Sequence, residues 1–324
     1  MTVTRRAALA APLLALPARA QPGWRPPGQV RIIAPAAAGG TTDIMGRIVA
    51  QHLQGAWGIP AVVENRTGAG GTIGTTETVR AKPDGTTLLS GNIGPQAIAY
   101  ALYRNLPYRP DDLSCICGTI RGPNVLVVKA TTPVRTMAEF AAWLKAEGGR
   151  VSFASTGVGQ STHLSPVWML QLLELEAVHV PYRGSAPAQT ALLGGEVGFM
   201  VDNLTGVMGQ IRAGTVRPVA VTSAARSPQL PEVPAMRETL PQLASFEVNT
   251  WFGLFGPAGL PAEAVGALNA EVNALLALPE TRQRFAELGG EPFDGPAEAF
   301  AAFVRAEIGK WGGVIRKEGL ALDL

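Results

Sequence analysis

The sequence predicts an α/β protein of two lobes, each a parallel-rich sheet flanked by helices, joined by two crossing segments and hinged as a clamshell. Three observations predict it. Short apolar runs alternate with helical stretches from Val30 onward, the pattern of parallel strands linked by crossover helices. A second such set begins at Val125-Leu126-Val127-Val128. The alternation breaks between Ser227 and Ser245, where four prolines interrupt a polar stretch, and an apolar run then returns the chain to the first lobe. One lobe thus comprises residues 22–122 plus 246–324 and the other 123–245. Two consecutive domains would show the same alternation.

The first lobe is organised around residues 30–47. Val30–Ala34 reads as a strand buried on both faces. Pro35 stops it, and Ala36, Ala37, Ala38, Gly39 and Gly40 form a bend small enough for backbone to approach a ligand. Thr41 or Thr42 caps the next helix, Asp43 suits its first turn, and Ile44, Ile48, Val49 and Leu53 make its apolar face. Strand, tight loop and helix start aim N–H groups at one point, where an anion binds through the amides and the helix dipole. An ordinary βα turn carries the same signature.

The other elements follow in order. Residues 61–63 form a strand, Gly68-Ala69-Gly70-Gly71 leads into a helix at 72–81, and Pro83-Asp84-Gly85 turns the chain into a strand at 86–90 before a short helix at 97–102. In the second set, helices at 137–146, 162–173, 186–193 and 207–213 alternate with strands at 151–154, 178–180, 197–201 and 216–221. Beyond the proline-rich break, 250–256 is a buried strand, and helices at 262–276, 280–288 and 297–317 close the chain. Phe300, Phe303, Ile308, Trp311 and Ile315 recur at near-helical spacing, a core or inter-lobe stripe.

Residues 1–20 read as an export leader. Arg5-Arg6 precede an apolar run at 7–16, and Ala18-Arg19-Ala20 is an A-x-A cleavage pattern before Gln21. Thr4-Arg5-Arg6 also fits a twin-arginine signal, although Sec leaders carry paired arginines too. The run is shorter than the roughly 20 residues that span a bilayer. Removing Arg5, Arg6 and Arg19 from 27 Lys+Arg leaves 24 against 25 Asp+Glu, so no basic excess marks a nucleic acid or anionic membrane as partner. Cys115 and Cys117, two apart in a strand, share a face with Cα atoms about 6.5–7 Å apart, at the edge of disulfide reach. Two buried free thiols are expected, and with only three histidines no metal site.

Candidate chemistry concentrates at strand ends. Gly68–Gly74 misses the dinucleotide fingerprint, because Ile73 breaks the glycine spacing and Ser90 stands where an acidic residue would hold a ribose. Ser155-Thr156-Gly157 through His163 follows a strand and opens a helix, mirroring the stretch from Ala36 to Asp43. Ser161, His163 and Asp202 offer a Ser–His–Asp set, but no G-x-S-x-G elbow is present and Ser161 and His163 share one incipient helix turn. A second helix N-terminus with N–H and hydroxyl donors accounts for the stretch better. Tyr182-Arg183-Gly184-Ser185 and Asp202-Asn203 also follow strands, so all these loops belong outside the carboxyl ends of the sheet.

Seven motifs stand in order: Pro35…Gly39-Gly40-Thr41-Thr42-Asp43…Arg47; Glu64-Asn65-Arg66…Gly68-Ala69-Gly70-Gly71; Pro83-Asp84-Gly85-Thr86-Thr87-Leu88-Leu89; Ser155-Thr156-Gly157…Gly159…His163-Leu164; Val180-Pro181-Tyr182-Arg183-Gly184…Ala186-Pro187; Asp202-Asn203; and Trp251-Phe252-Gly253-Leu254…Pro257-Ala258-Gly259. Together they resemble the substrate-binding proteins of tripartite tricarboxylate transporters, the Bug family, over essentially the whole mature chain. The resemblance implies a periplasmic-binding-protein-like clamshell (type II) that hands small carboxylates to a membrane transporter. It also implies that one carboxylate is held largely by backbone amides and bridging waters at the loop after the first strand. The chain departs from the pattern at Ala36, where many relatives carry an aromatic residue, and at Gln96 and Ala99, in a stretch where relatives often carry His and Asn. These departures leave the ligand itself open.

The expected protein is therefore a monomeric periplasmic receptor for a small organic anion, without cofactor or catalysis, acting by lobe closure. Backbone at Ala36, Ala37, Ala38, Gly39 and Gly40 and the hydroxyl of Thr41 hold the carboxylate. Ser155, Thr156 and Gly157 contribute from the facing lobe, Asp202 and Asn203 read the far end, and Asn92 lines the first-lobe wall. Arg183 either neutralises charge or is a solvated surface arginine. Two rival classes are a serine hydrolase using Ser161 or Ser155 and a receptor that signals to a membrane sensor.

Overall fold

The computed structural model describes residues 23–318. The expected leader at 1–20, the cleavage before Gln21 and the chain end at 319–324 lie outside them. The first half opens with three parallel strands, β1 (Val30–Ala34) between β2 (Ala61–Asn65) and β3 (Thr87–Asn92). Helices α1 (Thr41–Trp57) and α2 (Thr72–Val79) make the crossovers. A wide helical turn at Gly94–Ile98 runs into α3 (Ala99–Leu102), so the helix expected at 97–102 is preceded by a looser turn around Pro95. The second half repeats the design with β5 (Ser152–Ser155) between β6 (Val178–Pro181) and β7 (Phe199–Asn203), all parallel. Its helices are α4 (Met137–Glu147), α5 (Ser161–Leu173), α6 (Ser185–Gly194) and α7 (Leu204–Arg212).

Two long strands join the halves. β4 (Leu113–Lys129) pairs antiparallel with β9 (Asn249–Pro257) from Leu113 to Pro123, then with β7 and β8 (Val216–Val221) from Asn124 onward. The order β2-β1-β3-β9-β4-β7-β5-β6 is one continuous sheet, with β8 and the short β10 (Glu291–Pro292) also paired to β4. Each half is parallel-rich, and antiparallel pairing is confined to the strands that connect them. The sequence placed the start of the second set at Val125, whereas that run is the end of a 17-residue strand. Gly118, Gly122 and Pro123 hide its first part, which survives because β9 pairs with it through register shifts on either side of Gly118.

One of those shifts corrects the cysteine expectation. The register slips between Cys115 and Cys117, so the two do not share a face. Cys115 packs against the core that contains Trp251 and Phe255, whereas Cys117 belongs to the separate core that contains Ile116 and Phe252. Both are free; Cys117 is buried and Cys115 half-buried.

Alternation elsewhere is regular. Leu126 and Val128 join one core and Val125 and Val127 the opposite one, as a strand covered on both faces requires. Helices α8 (Ala262–Ala277), α9 (Pro279–Glu287) and α10 (Ala297–Glu318) return to the first half. The α10 stripe is core: Phe300, Trp311 and Ile315 are buried, with Phe303 and Ile308 packed against them. No helix among the described residues is long and apolar enough to cross a membrane.

Candidate functional site

Four helices start at one place. The N-caps of α1, α5, α6 and α7 are Gly40, Gln160, Gly184 and Asn203, none closed by a hydrogen bond from its own side chain. All four line one small cavity between the halves. A helix leaves its first N–H groups without intrahelical partners and carries about half a positive charge at that end. The cavity is small, with a volume of about 30 Å³. No charged side chain lines it among the described residues. Its field therefore comes from oriented amides and hydroxyls, which suits an anionic head group.

The first loop is tied from behind. Asp43 accepts from the Gly39 N–H at 3.0 Å, from Asn65 Nδ2 at 2.9 Å and from Arg47 Nε at 2.9 Å. Burial pushes its carboxyl up, but the bonds from Arg47, Gly39 and Asn65 outweigh that and hold it below the usual carboxylate range. Asn65 Nδ2 also donates to the Ala36 carbonyl. Gly39 has φ +84°, a left-handed conformation that favours glycine. Gly40 is extended, and a Cβ there would meet Ser185 at an ordinary 3.7 Å. The bend thus requires glycine at Gly39, while Gly40 only preserves room.

Asn92 lines the cavity, but its amide is engaged locally, Nδ2 donating to Thr42 Oγ1 and Oδ1 accepting from the Gly94 N–H. Gln96 is buried behind it, bonded to the Asn92 N–H and to Thr75. On the facing half, Thr156 shares a hydrogen bond with Thr162 at 2.7 Å. Asp202 is fully buried and accepts from Ser185 Oγ, from Gln189 Nε2 at 2.8 Å and from the Asn203 N–H at 2.8 Å. Burial raises its pKa, opposed by those three donors. The Asn203 Oδ1, by contrast, is buried without a hydrogen-bond partner in a residue that lines the cavity. It is the uncommitted acceptor of the site.

The halves touch directly across the cleft. The Ala37 N–H donates to the Arg183 carbonyl at 3.0 Å, and Thr41 Oγ1 lies 2.8 Å from Thr205 Oγ1. Gln160 Nε2 donates to the Gly70 carbonyl at 2.7 Å, and Tyr103 Oη to the Val158 carbonyl at 3.1 Å. Beside this seam lies a second, outer chamber of about 450 Å³. It shares Pro35 and Thr156 with the inner cavity and is walled by the Gly68–Gly71 loop, Gly157, Tyr182 and Arg183.

Of the residues singled out by sequence, the inner cavity gathers Ala36, Gly40, Thr41, Asn92, Thr156 and Asn203. Ala38 and Gly39 are exposed, Ala37 bonds across the seam, and Gly157 lines the outer chamber. Ser155 and Asp202 stand fully buried behind the wall. Thr42, Gln160, Gly184 and Ser185 also line the inner cavity; the sequence marked all four as parts of helix-start loops but did not place them among the ligand-binding residues. It also missed Thr250 and Phe252, which arrive on β9 and are brought in by topology alone.

The hydrolase set does not assemble. Asp202 is bonded to Ser185, Gln189 and Asn203, while His163 accepts from the Gly159 N–H and stacks on His179 with ring centroids 4.0 Å apart. Ser155 Oγ lies 2.7 Å from His179 Nε2, but Ser155 is fully buried, and no carboxylate bonds to His179 among the described residues. Burial pushes His179 down to about 4, and burial with the neighbouring His179 pushes His163 down to about 3. Both are neutral at pH 7. A larger hollow, of about 720 Å³, lies elsewhere, beside the crossing strands. No helix start opens on it, and Arg121, Arg226 and Lys310 in its walls each have an acidic partner.

The chain matches the model of the tripartite tricarboxylate transporter family receptor over residues 45–320. It is similar to Protein BugT of Bordetella pertussis, 35% identical over 300 residues that cover 92% of this chain and 91% of the relative. Among solved structures it is similar to an R. palustris protein with adipate, with a TM-score of 0.88 and 32% identity over 91% of this chain and 99% of that one. It is also similar to MatC from Rhodopseudomonas palustris with bound malate, with a TM-score of 0.83 and 32% identity over 89% and 99%.

Proposed function

The chain belongs to the tripartite tricarboxylate transporter family of receptors, and from that premise we propose that it is a periplasmic receptor that captures a small organic carboxylate between its lobes and delivers it to a membrane transporter. The observation that carries this reading is the convergence of four helix N-termini on one cavity without charged walls. Neutral amides bind a carboxylate without a buried counter-ion to desolvate. The Asn203 amide reads a donor or acceptor next to that group. A binding role without hydrolysis fits the site, since neither Ser155 nor Ser161 has a base and orienting acid assembled around it among the described residues.

We assign residues 22–122 with 246–324 to one lobe and 123–245 to the other. The hinge runs through Pro123–Val125 in β4 and residues 247–251 at the start of β9. Binding closes the lobes because an anion gains all four helix N-termini only in the closed form. Titration calorimetry and small-angle scattering against a series of carboxylates test this. Tight binding with a smaller radius of gyration at saturation is expected. Binding of no organic acid refutes the receptor reading, and binding without compaction refutes closure.

A further inference from the structure

The hollow of about 720 Å³ beside the crossing strands has no part in the receptor reading, yet its size falls within the roughly 300–1,000 Å³ of small-molecule sites. Both halves wall it, the loop from Ser223 to Gln229 in one and Gly289, Gly290 and α10 in the other. Its charges do not balance. Arg121 pairs with Glu291 at 3.6 Å, Arg226 with Glu238 at 2.8 Å and Lys310 with Glu307 at 3.9 Å. Glu247 is the carboxylate left over. It lines the hollow half-buried, accepts from Asn249 Nδ2 at 3.3 Å and has no ion pair among the described residues. A cleft with an excess of one charge attracts the other. Apolar surface is supplied in the same walls by Pro123 and by Phe303, which stands edge-on to Trp251 with ring centroids 5.6 Å apart.

We propose that this hollow is a second ligand site, one that takes a small organic cation, an amine or amidine on an apolar or aromatic body. The cationic N–H groups bond the Glu247 carboxylate, a charge-assisted contact about twice as strong as a neutral one. The side-chain oxygen of Asn249, whose nitrogen is turned to Glu247, is a second acceptor. The body lies against Phe303 and Pro123, and an aromatic face also attracts a cation. An organic anion is disfavoured there, because each cation in the walls already has its acid and Glu247 repels it. The charge preference is thus opposite to that of the carboxylate cavity, although Thr250 lines both spaces.

Matched pairs test this by calorimetry: 4-phenylbutylamine against 4-phenyl-1-butanol and benzamidine against benzamide, on the unaltered protein and on E247Q and E247D. At least one cation is expected to bind about tenfold or more tightly than its neutral partner. Glutamine keeps an oxygen for Asn249 and removes only the charge, so E247Q should bring that cation to within about threefold of its neutral partner. E247D, which keeps the charge, should retain part of the preference. Neutral partners binding as well as the cations, no binding of either cation, or E247Q retaining full cation affinity overturns the site. The comparison on the unaltered protein decides even if E247Q fails to fold, and none of these outcomes bears on the carboxylate cavity.

Discussion

Gly70 offers a perturbation that separates closing from folding. It has φ +61°, and a Cβ built on it would lie 2.1 Å from the Val158 carbonyl oxygen of the facing half. Real Cβ atoms do not approach oxygen closer than about 3 Å, so in Gly70→Ala the seam must open locally by roughly 1 Å. That displacement breaks the Gln160–Gly70 bond of 2.7 Å and the Tyr103–Val158 bond of 3.1 Å. At about 0.5–1.5 kcal/mol for each neutral bond, the closed form loses about 1–3 kcal/mol relative to the open one. The apparent affinity falls about 5- to 150-fold. The left-handed backbone costs an alanine a further ~1–2 kcal/mol, but in both forms, so that part lowers stability and leaves affinity alone. Gly195→Ala is the control: its φ is +80° with nothing within 4 Å of the added Cβ, and it should lose stability with unchanged binding. Calorimetry with any verified carboxylate decides. Affinity of Gly70→Ala within twofold of the parent would mean that this seam is not part of the bound state.

Thr41→Val should cost about 1–3 kcal/mol of binding, because it strips the Thr205 hydroxyl of its partner across the seam. Thr205→Val should cost a similar amount, and the pair together no more than either alone, read by a double-mutant cycle in calorimetry. The His163–His179 stack should make the protein acid-sensitive. Folded values of about 3 and about 4 lie below the ordinary 6.5, so the unfolded chain takes up protons first and stability is lost as pH falls from about 6.5 towards 4. His163→Phe should flatten that slope in thermal melts at several pH values, and an unchanged slope refutes the assignment. Ser161→Ala should leave carboxylate affinity within a few-fold and remove no ester hydrolysis, measured with a chromogenic ester. Loss of a measurable hydrolase activity would overturn the receptor reading.

The alternation of strands and helices was legible because each strand of the parallel trios is apolar and each crossover helix begins at a recognisable loop. What stayed hidden had a physical cause in each case. The first part of β4 contains Gly118, Gly122 and Pro123, poor strand formers that hold their place through pairing with β9. Cys115 and Cys117 look like neighbours on one face, and only the slip in register separates them. At the site, the loop after β1 was legible from its small residues and helix cap. Ser155 and Asp202 were drawn into the candidate set by chemical type, yet their side chains serve the wall, bonding His179 and Ser185 respectively. Thr205 carries no local signal, and Gly70 only that of a glycine-rich loop before a helix. Their importance exists only once two distant loops are brought face to face.

The absence of charged side chains from the cavity lining among the described residues suits the delivery role proposed above. A buried guanidinium facing the carboxylate would strengthen binding, but on opening it would be left to regain its solvation alone, and a single strong pair could be satisfied by one lobe. Amides at four helix starts divide the attraction between Gly40 on the first half and Gln160, Gly184 and Asn203 on the second. With the helix starts divided between the halves, the proposed reading makes affinity and closure one event. Thr250 places that event at the hinge, since it lines both the inner cavity and the hollow behind the crossing strands. A single pair of strands thus separates the inner cavity from the larger hollow behind it. On the closure proposed above, rotation about β4 and β9 would convert a contact made by a carboxylate at the front into a change of shape at the back.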